Sequence, residues 1–435
     1  MRIAVLAFAL TGTAFGGIIN PLAVDPSLFN VTTFTTGLRF PTGIQAFADG
    51  SIDVLTNPGY YSAPGVVQAF TAAGGTGTPV YTSPATGFLT GTTSVGRYMA
   101  VGNDPYVNGN NTITLLQPGA TSGSPMTTVA TLNMSYSLPW DHNTIGVAAR
   151  PTPGVAGSYD LIVNVGSKYD AVATPSGDPV TLTGTGFSSF IPTDLKADSL
   201  YLIRLDETGA QPAVTAVQQV ATGIRNVYGM GFDAGGNFYF SDNAIDALPD
   251  GSTPVPGNEP PQADELNFIS AADFANGTPP DFGYPNCYIQ YSYGGVPGVP
   301  VGSGCTQPLL AFQPITDSAG THELEGPTTL AFAPSSFPGI FNNGVFVGFV
   351  GDESPNDESG LAFYNFATHE YVHFIESLNP DIGPIIGIAS TSNALFVSEV
   401  STGTVYEITA AAPEPRTLLP ALLGMVAILC LRRRQ

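Results

Sequence analysis

Side chains equipped for proton, metal or redox chemistry are scarce here, so their positions are informative. The chain has 435 residues and only four histidines. His142 stands in the run Trp140-Asp141-His142-Asn143, directly before an apolar stretch. An imidazole titrates near neutral pH and can take up and return a proton, and Asp141 supplies a carboxylate beside it. The same placement suits a turn histidine that satisfies strand ends. Arg225, followed by Asn226, offers a rigid fork for carboxylate or carbonyl oxygens. Its alternative role is a tie to backbone carbonyls between sheets. Asp242, Asn243, the carbonyls of Ala244 and Ile245, Asp264 and Glu265 form an oxygen-rich set of the kind calcium takes; a solvated acidic loop has the same composition. His322-Glu323-Leu324-Glu325 could serve a second metal or a hydrolytic acid/base pair. His369 and His373 lie in a stretch that alternates like a strand, which would set them well apart on one face and argues against a metal pair. Gly-rich phosphate loops, nucleophile elbows and zinc-type Cys/His spacings are absent from the sequence.

These groups need a scaffold, and the sequence describes one made of strands. From Val220 to Asn243 the chain reads VATGIRNVYGMGFDAGGNFYFSDN: two apolar runs joined by a Gly-rich turn, ending on polar residues. That is a β-hairpin whose far end presents Ser241, Asp242 and Asn243 on a rigid base. The same grammar recurs after Gly37, before Phe332 and after Ile385, and two further strand groups fill residues 88–135 and 140–206. A weak strand–turn–strand repeat of this kind marks sheets stacked around an axis. Six such units and no long helix-period segment predict an all-β, six-bladed β-propeller over residues 34–410. The long polar stretches Ser167–Ala197 and Ala244–Ala263 follow central strands and are expected to lie over one face of the ring.

Composition bounds the partners. Formal net charge is −22, and residues 18–412 carry seven basic against 33 acidic residues. Phosphate backbones require Lys and Arg, so nucleic acid is excluded as a partner; divalent cations and neutral ligands such as sugars suit this surface. Residues 1–17, with one Arg, an apolar run and small residues, form a secretory signal. In the exported compartment Cys287 and Cys305, which flank a Gly/Pro/Tyr-rich loop, can pair as a loop staple.

Four short motifs in order, GIRNVYGMGF, SDN, DELNFI and DFGYP, resemble the soluble glucose/sorbosone dehydrogenases, six-bladed propellers of which some bind pyrroloquinoline quinone and calcium. The resemblance implies that His142, with Asp141, is the general base that takes the proton from a sugar C1 hydroxyl as hydride leaves to the quinone. It implies that Arg225, Asn226 and Asn243 face the cofactor. It further implies that Asp242, Ala244, Ile245, Asp264 and Glu265 surround calcium, although Ala244-Ile245 stands where the family has Gly-Pro. There are departures. Residues 226–415 contain no Lys or Arg, where the family holds the quinone's three carboxylates with basic residues. The corresponding fifth-blade stretch, VGFVGDESPNDESG, is acidic, the sixth, SLNPDIGPIIG, contributes no cation, and the third-blade turn reads GSKYDA, in which Lys168 could compensate in part. A polyanion beside Asp352 and Glu353 would bind poorly unless calcium intervened.

Residues 412–435 resemble a PEP-CTERM sorting signal: Pro413-Glu414-Pro415, an apolar run from Leu418 to Leu431, and three arginines. The resemblance implies recognition by an exosortase-type enzyme, transient membrane association with the arginines inside, and delivery to the cell surface or extracellular matrix. The apolar run is shorter than the ~20 residues of a lasting span. The expected function is oxidation of an aldose or related sugar; the alternative is a non-catalytic propeller that binds polysaccharide or protein.

Overall fold

A computed structural model describes residues 19–21, 23–105, 109–245, 262–290, 299–312, 315–316, 322–323, 326–350, 360–376 and 383–412. The secretory signal and Pro413-Glu414-Pro415 with the apolar tail lie outside these residues. No helix among the described residues is long and apolar enough to cross a membrane.

Among the described residues, beside two small two-stranded sheets, six antiparallel sheets stand in ring order. Their innermost strands are Pro41–Ala46, Phe88–Val95, Val147–Pro151, Val227–Phe232, Pro327–Phe332 and Ile385–Ser390, each packed on the next around the axis and the last on the first. The architecture is the six-bladed all-β propeller expected from the repeat. The sixth blade takes its outer strand from the other end of the domain: Phe29–Thr35 pairs antiparallel with Thr404–Ala410, Phe29 opposite Ala410. The ring therefore begins at Phe29, ahead of the predicted residue 34, because the closing strand precedes the first blade.

Strand alternation explains why the blades stack. In Phe238–Asp242, Phe238 and Phe240 point into the apolar layer shared with the third blade, while Tyr239 enters the layer shared with the fifth. Both faces of a central strand are buried, so the run is apolar throughout instead of alternating with polar residues. Six apolar layers result, one between each pair of neighbouring blades.

One insertion behaves differently from expectation. Within Ser167–Ala197, Val180–Thr185 and Thr193–Leu195 add two strands to the outer edge of the second blade, the first of them pairing with Thr127–Ser135. An unpaired outer strand is a liability that such an addition covers; the part of the insertion before residue 180 returns to the site below. Of the second insertion, Ala244–Ala263, residues 246–261 lie outside the described residues. Its far side leads into the third strand of blade four, Glu265–Ile269, followed by a one-turn helix, Ala271–Asn276, capped by Ser270.

Ring closure makes a measurable prediction. Phe29, 6% exposed, meets the rings of Phe337, Phe341 and Phe374 edge-on with centroids 5.2, 5.6 and 5.1 Å away. Phe29→Ala is expected to cost about 3–5 kcal/mol and Phe29→Leu clearly less, read as denaturant midpoints; equal, small losses would show that the closing strand is not coupled to the fold.

Candidate functional site

The candidate residues collect at one end of the ring because of where they stand relative to the strands. His142 and Arg225 precede the innermost strands of blades three and four; Asp242 and Asn243 end the second strand of blade four; Asp264 and Glu265 begin its third. Antiparallel connectivity sends all of these positions to the same face.

Gly166-Ser167, at the end of the strand Ser158–Val165, is wedged between His142 and Arg225. A Cβ on Gly166 would lie 2.3 Å from the His142 carbonyl oxygen and 3.0 Å from that of Arg225, so only glycine fits there. The Ser167 N–H donates to the Arg225 carbonyl at 2.8 Å, and the His142 N–H donates to the Ser167 carbonyl at 3.2 Å. The buried imidazole of His142 lies with Nδ1 2.8 Å from Ser167 Oγ and 3.2 Å from the Ser167 carbonyl oxygen. That carbonyl only accepts, and the Ser167 hydroxyl already donates to the Tyr169 carbonyl at 2.7 Å. Nδ1 therefore carries the proton, and Nε2 holds the free lone pair. Burial, reinforced by the nearby positive charge of Arg225, lowers the His142 pKa to about 3. The ring is neutral at working pH and accepts a proton only from a donor that is brought to it.

Asp141, expected to act with His142, is exposed and holds its place through a backbone N–H to the Lys168 carbonyl, 3.1 Å. Ser167 is the residue that orients the imidazole. Sequence reasoning missed it because a serine in a turn has no distinguishing signal until the turn is seen folded against His142.

Arg225 is 1% exposed. Its guanidinium donates to the Asp170 carboxylate, to the Asp170 carbonyl at 3.2 Å and to the Asn243 carbonyl at 3.3 Å. Its own N–H, with that of Asn226, donates to the Asp242 carboxylate at 2.7–3.2 Å. The guanidinium thus knits the turn after blade three to blade four; its fork points at protein, not at open space. The turn is fixed from the other side by Tyr284, whose hydroxyl lies 2.7, 2.9 and 3.1 Å from the carbonyls of Tyr169, Asp170 and Val172. Gly223 admits this packing: a Cβ there would sit 2.1 Å from Asp281 Oδ1 and 2.3 Å from the Gly283 nitrogen. The GIRN and DFGYP motifs are therefore neighbours in space, and the spacing between them is filled by the intervening strands.

The acidic residues are equally committed. Asp264 accepts the N–H groups of Ala244, 2.8 Å, and Gly326, 3.0 Å, tying blade four to the approach to blade five. Glu265 lies opposite Asp242 in register; burial and the Asp242 charge push its pKa up to about 8, and burial pushes Asp242 up to about 6. Among the described residues no three His, Cys, Asp or Glu side chains gather as a metal cage. Amide oxygens offer something different. Asn226 Oδ1 and Asn243 Oδ1 are buried without a hydrogen-bond partner, and the Asn243 N–H reaches the Asn226 carbonyl at 3.1 Å, so the two residues are adjacent. Orphaned, buried, neutral oxygens are of the kind a hard cation such as calcium takes.

The quinone meets the opposite situation. Lys168 is paired with Asp178 at 3.1 Å and lies over the Trp140 ring; Arg225 is paired with Asp170; residues 226–415 hold no cation. Exposed Arg39, just before the innermost strand of blade one, stands at this end outside the ion pairs of the described residues; one cation on blade one does not match three carboxylates placed beside His142, so pyrroloquinoline quinone does not fit these residues.

The backbones of His322 and Glu323 pair with Thr316 and Ile315; Leu324 and Glu325 lie outside the described residues. His369 is not on a strand face with His373: it sits at φ 60° in the turn before Tyr371–Glu376, with Nδ1 2.9 Å from the Tyr364 hydroxyl. Asn365 Oδ1 caps that turn by accepting the N–H groups of Ala367 and Thr368. Cys287 and Cys305 are joined in a disulfide.

A family model described as TrAA12-like matches residues 204–363. The chain is similar in structure to the holo pyranose dehydrogenase PQQ domain of Coprinopsis cinerea, at 15% identity and a TM-score of 0.59 over 89% of this chain and 96% of that one. It is similar to a Trichoderma reesei carbohydrate-active enzyme of family AA12, in its iodide structure, at 17% identity and a TM-score of 0.60 over 89% and 97%. The PQQ-bound aldose sugar dehydrogenase of Streptomyces coelicolor superposes at 17% identity and a TM-score of 0.52 over 89% and 99%. The chain thus shares its propeller fold with these structures. No curated protein sequence matches the chain.

Two outcomes follow from this geometry. The folded state keeps His142 unprotonated well below the ordinary value of 6.5, so the unfolded chain binds the extra proton and stability falls as pH drops from 6.5 toward 3. His142→Asn is expected to flatten that part of the profile, measured as thermal midpoints at pH 7.5 and 5.0; an unchanged slope would exclude burial as the cause. Asp170→Ala, which strands a buried guanidinium, is expected to cost about 2–4 kcal/mol, whereas Arg225→Met combined with Asp170→Leu should recover most of the loss in the same unfolding assay.

Proposed function

We propose that the mouth formed by blades three and four is a sugar site of an exported, oxidoreductase-like propeller. The observation that carries this reading is the fixed tautomer of His142: a neutral imidazole, oriented by Ser167, whose Nε2 can only accept. Oxidation of an aldose hydroxyl removes a proton and a hydride. His142 takes the proton; burial weakens it as a base in isolation, but a low-dielectric mouth strengthens a short hydrogen bond from a bound hydroxyl. The hydride passes to a two-electron acceptor of the quinone class that carries little negative charge, which with the proton held by His142 becomes the quinol; the pairing of Lys168 and Arg225 selects against a polyanionic acceptor. Calcium bound by Asn226, Asn243 and the adjoining carbonyls would supply positive charge and polarise sugar oxygens. Export, exosortase-type processing and a surface location belong to the same proposal and rest on the two terminal segments of the sequence.

A second reading is favoured by one observation, the internal pairing of Lys168 and Arg225. In it the same face binds polysaccharide or protein without chemistry.

The test uses the protein without its first 17 residues and without the segment from residue 413 onward. Calorimetric titration with calcium, then with an aldose panel, is combined with reduction of an uncharged dye. Calcium binding that Asn243→Ala weakens at least tenfold, and dye reduction lost in His142→Asn with sugar binding retained, support the oxidoreductase reading. Sugar binding without dye reduction selects the second reading, and absence of both overturns the two. Titration with pyrroloquinoline quinone is expected to give no binding tighter than about 100 μM, a value near −5.5 kcal/mol.

A further inference from the structure

A cluster of aromatic rings stands at the same end of the ring as His142, on blades one and two. Phe40 immediately precedes the innermost strand of blade one, Tyr60 and Tyr61 lie in the turn after its second strand, and Phe88 opens blade two. Phe40 and Tyr60 are 40% and 41% exposed. Ring centroids are 5.0 Å apart for Phe40–Tyr60, 4.7 Å for Tyr60–Tyr61, 5.0 Å for Tyr60–Phe88 and 5.1 Å for Tyr61–Phe88.

Two features show that this patch is built. Phe40 and Tyr60 adopt φ of 46° and 53°, a left-handed conformation costly to a bulky residue and kept only where the surroundings impose it. The surroundings are one fully buried side chain, Asn57. Its Nδ2 donates to the carbonyls of Phe40, 3.3 Å, and Leu89, 3.2 Å, and to Thr42 Oγ1, 3.1 Å; its Oδ1 accepts from the Leu89 N–H at 2.7 Å. The Asn57 backbone accepts the Tyr60 N–H at 3.1 Å and donates to the Arg39 carbonyl at 2.7 Å. One asparagine thus holds all three segments that carry the rings, and the strain it enforces serves exposed aromatics that contribute little to the core.

We propose that this cluster is a stacking platform for a neutral saccharide chain at the rim of the mouth. A pyranose presents a face of C–H groups that packs on an aromatic face, while its equatorial hydroxyls stay in water. Phe40 and Tyr60 present the exposed faces, Tyr61 is half-buried and Phe88 backs them from below; this surface suits about one or two sugar units, far below the roughly 800 Å² per partner of a stable protein interface. An anionic glycan would meet the exposed Arg39 beside Phe40 but also a domain with 33 acidic and seven basic residues, and the net charge disfavours it. The platform shares its ligand class with the mouth reading but stands on different residues and a different observation.

Affinity electrophoresis and calorimetry with cellohexaose, laminarihexaose and maltohexaose, and with hexagalacturonate as the anionic control, test it. At least one neutral hexaose should bind, with affinity reduced about tenfold or more in Phe40→Gly and Tyr60→Gly and retained in Tyr60→Phe. Glycine relieves the left-handed strain, so both variants should unfold at an unchanged or higher midpoint. The proposal is overturned if folded wild type binds none of the neutral hexaoses, if the glycine variants bind equally well, or if hexagalacturonate binds best. Failure of the mouth reading would appear as hexaose binding without dye reduction; failure of the platform would appear as dye reduction and hexaose binding that both ignore Phe40→Gly and Tyr60→Gly.

Discussion

Closure of the ring by Phe29–Thr35 is the constraint on which everything else rests. Each blade buries both of its faces against its neighbours, so no blade is complete alone. The sixth gains its outer strand from a segment some 375 residues earlier in the chain, Thr33 facing Tyr406. With that strand in place the six innermost strands pack on one another in a closed ring, and the loops at one end share a face. Without it, blade six would expose an edge and the layers on both sides would loosen. A solenoid can lengthen or shorten by a repeat; a closed ring fixes the number of blades and the positions of all loops relative to one another.

Within that frame, charge is the scarce resource, and it is used for structure. Asp160 is buried between Arg204, 2.8 Å, and Arg150, 3.5 Å, and the Arg150 guanidinium is clasped by the rings of Phe232 and Phe274, each 4.4 Å away. Those contacts lock blade three to blade four. Arg225 performs the same work nearer the mouth. Carboxylates follow suit: Asp242 and Asp264 accept backbone N–H groups and so act as clamps for the loops that carry the neighbouring asparagines. An ion pair that is buried and fully hydrogen-bonded resists recruitment by a ligand, because a ligand must replace every bond it breaks. What stays unpaired among these groups is neutral: the buried amide oxygens of Asn226 and Asn243 and, by its tautomer, His142 Nε2.

This arrangement gives the fold resemblance its meaning. The relatives in fold include PQQ-bound and sugar-active proteins. A shared ring shows how loops are presented, not what they bind. The position of a basic side chain near a mouth says little until its partner is known: Lys168 and Arg225 would pass for cofactor ligands by sequence, and each is already neutralised by an aspartate in or beside the same turn.

The sequence by itself determined the class and number of blades, because alternation of apolar residues, Gly-rich turns and β-branched runs are local and repeat six times. It also determined the charge of the molecule and the cation-free stretch from residue 226 to 415. The candidate residues were visible through the short motifs around His142, Arg225 and Asp264, since strand ends keep a recognisable local pattern. Their roles were decided by tertiary structure. Ser167 became the partner of His142 because Gly166 lets the turn pass between two blades. Asp170 took Arg225 across 55 residues of chain. Asn57 joined Phe40 to Leu89, 17 residues before it and 32 after it. Hydrogen-bond partners are a property of spatial neighbours, and in a ring most neighbours come from different blades, where no periodicity in the sequence reports them.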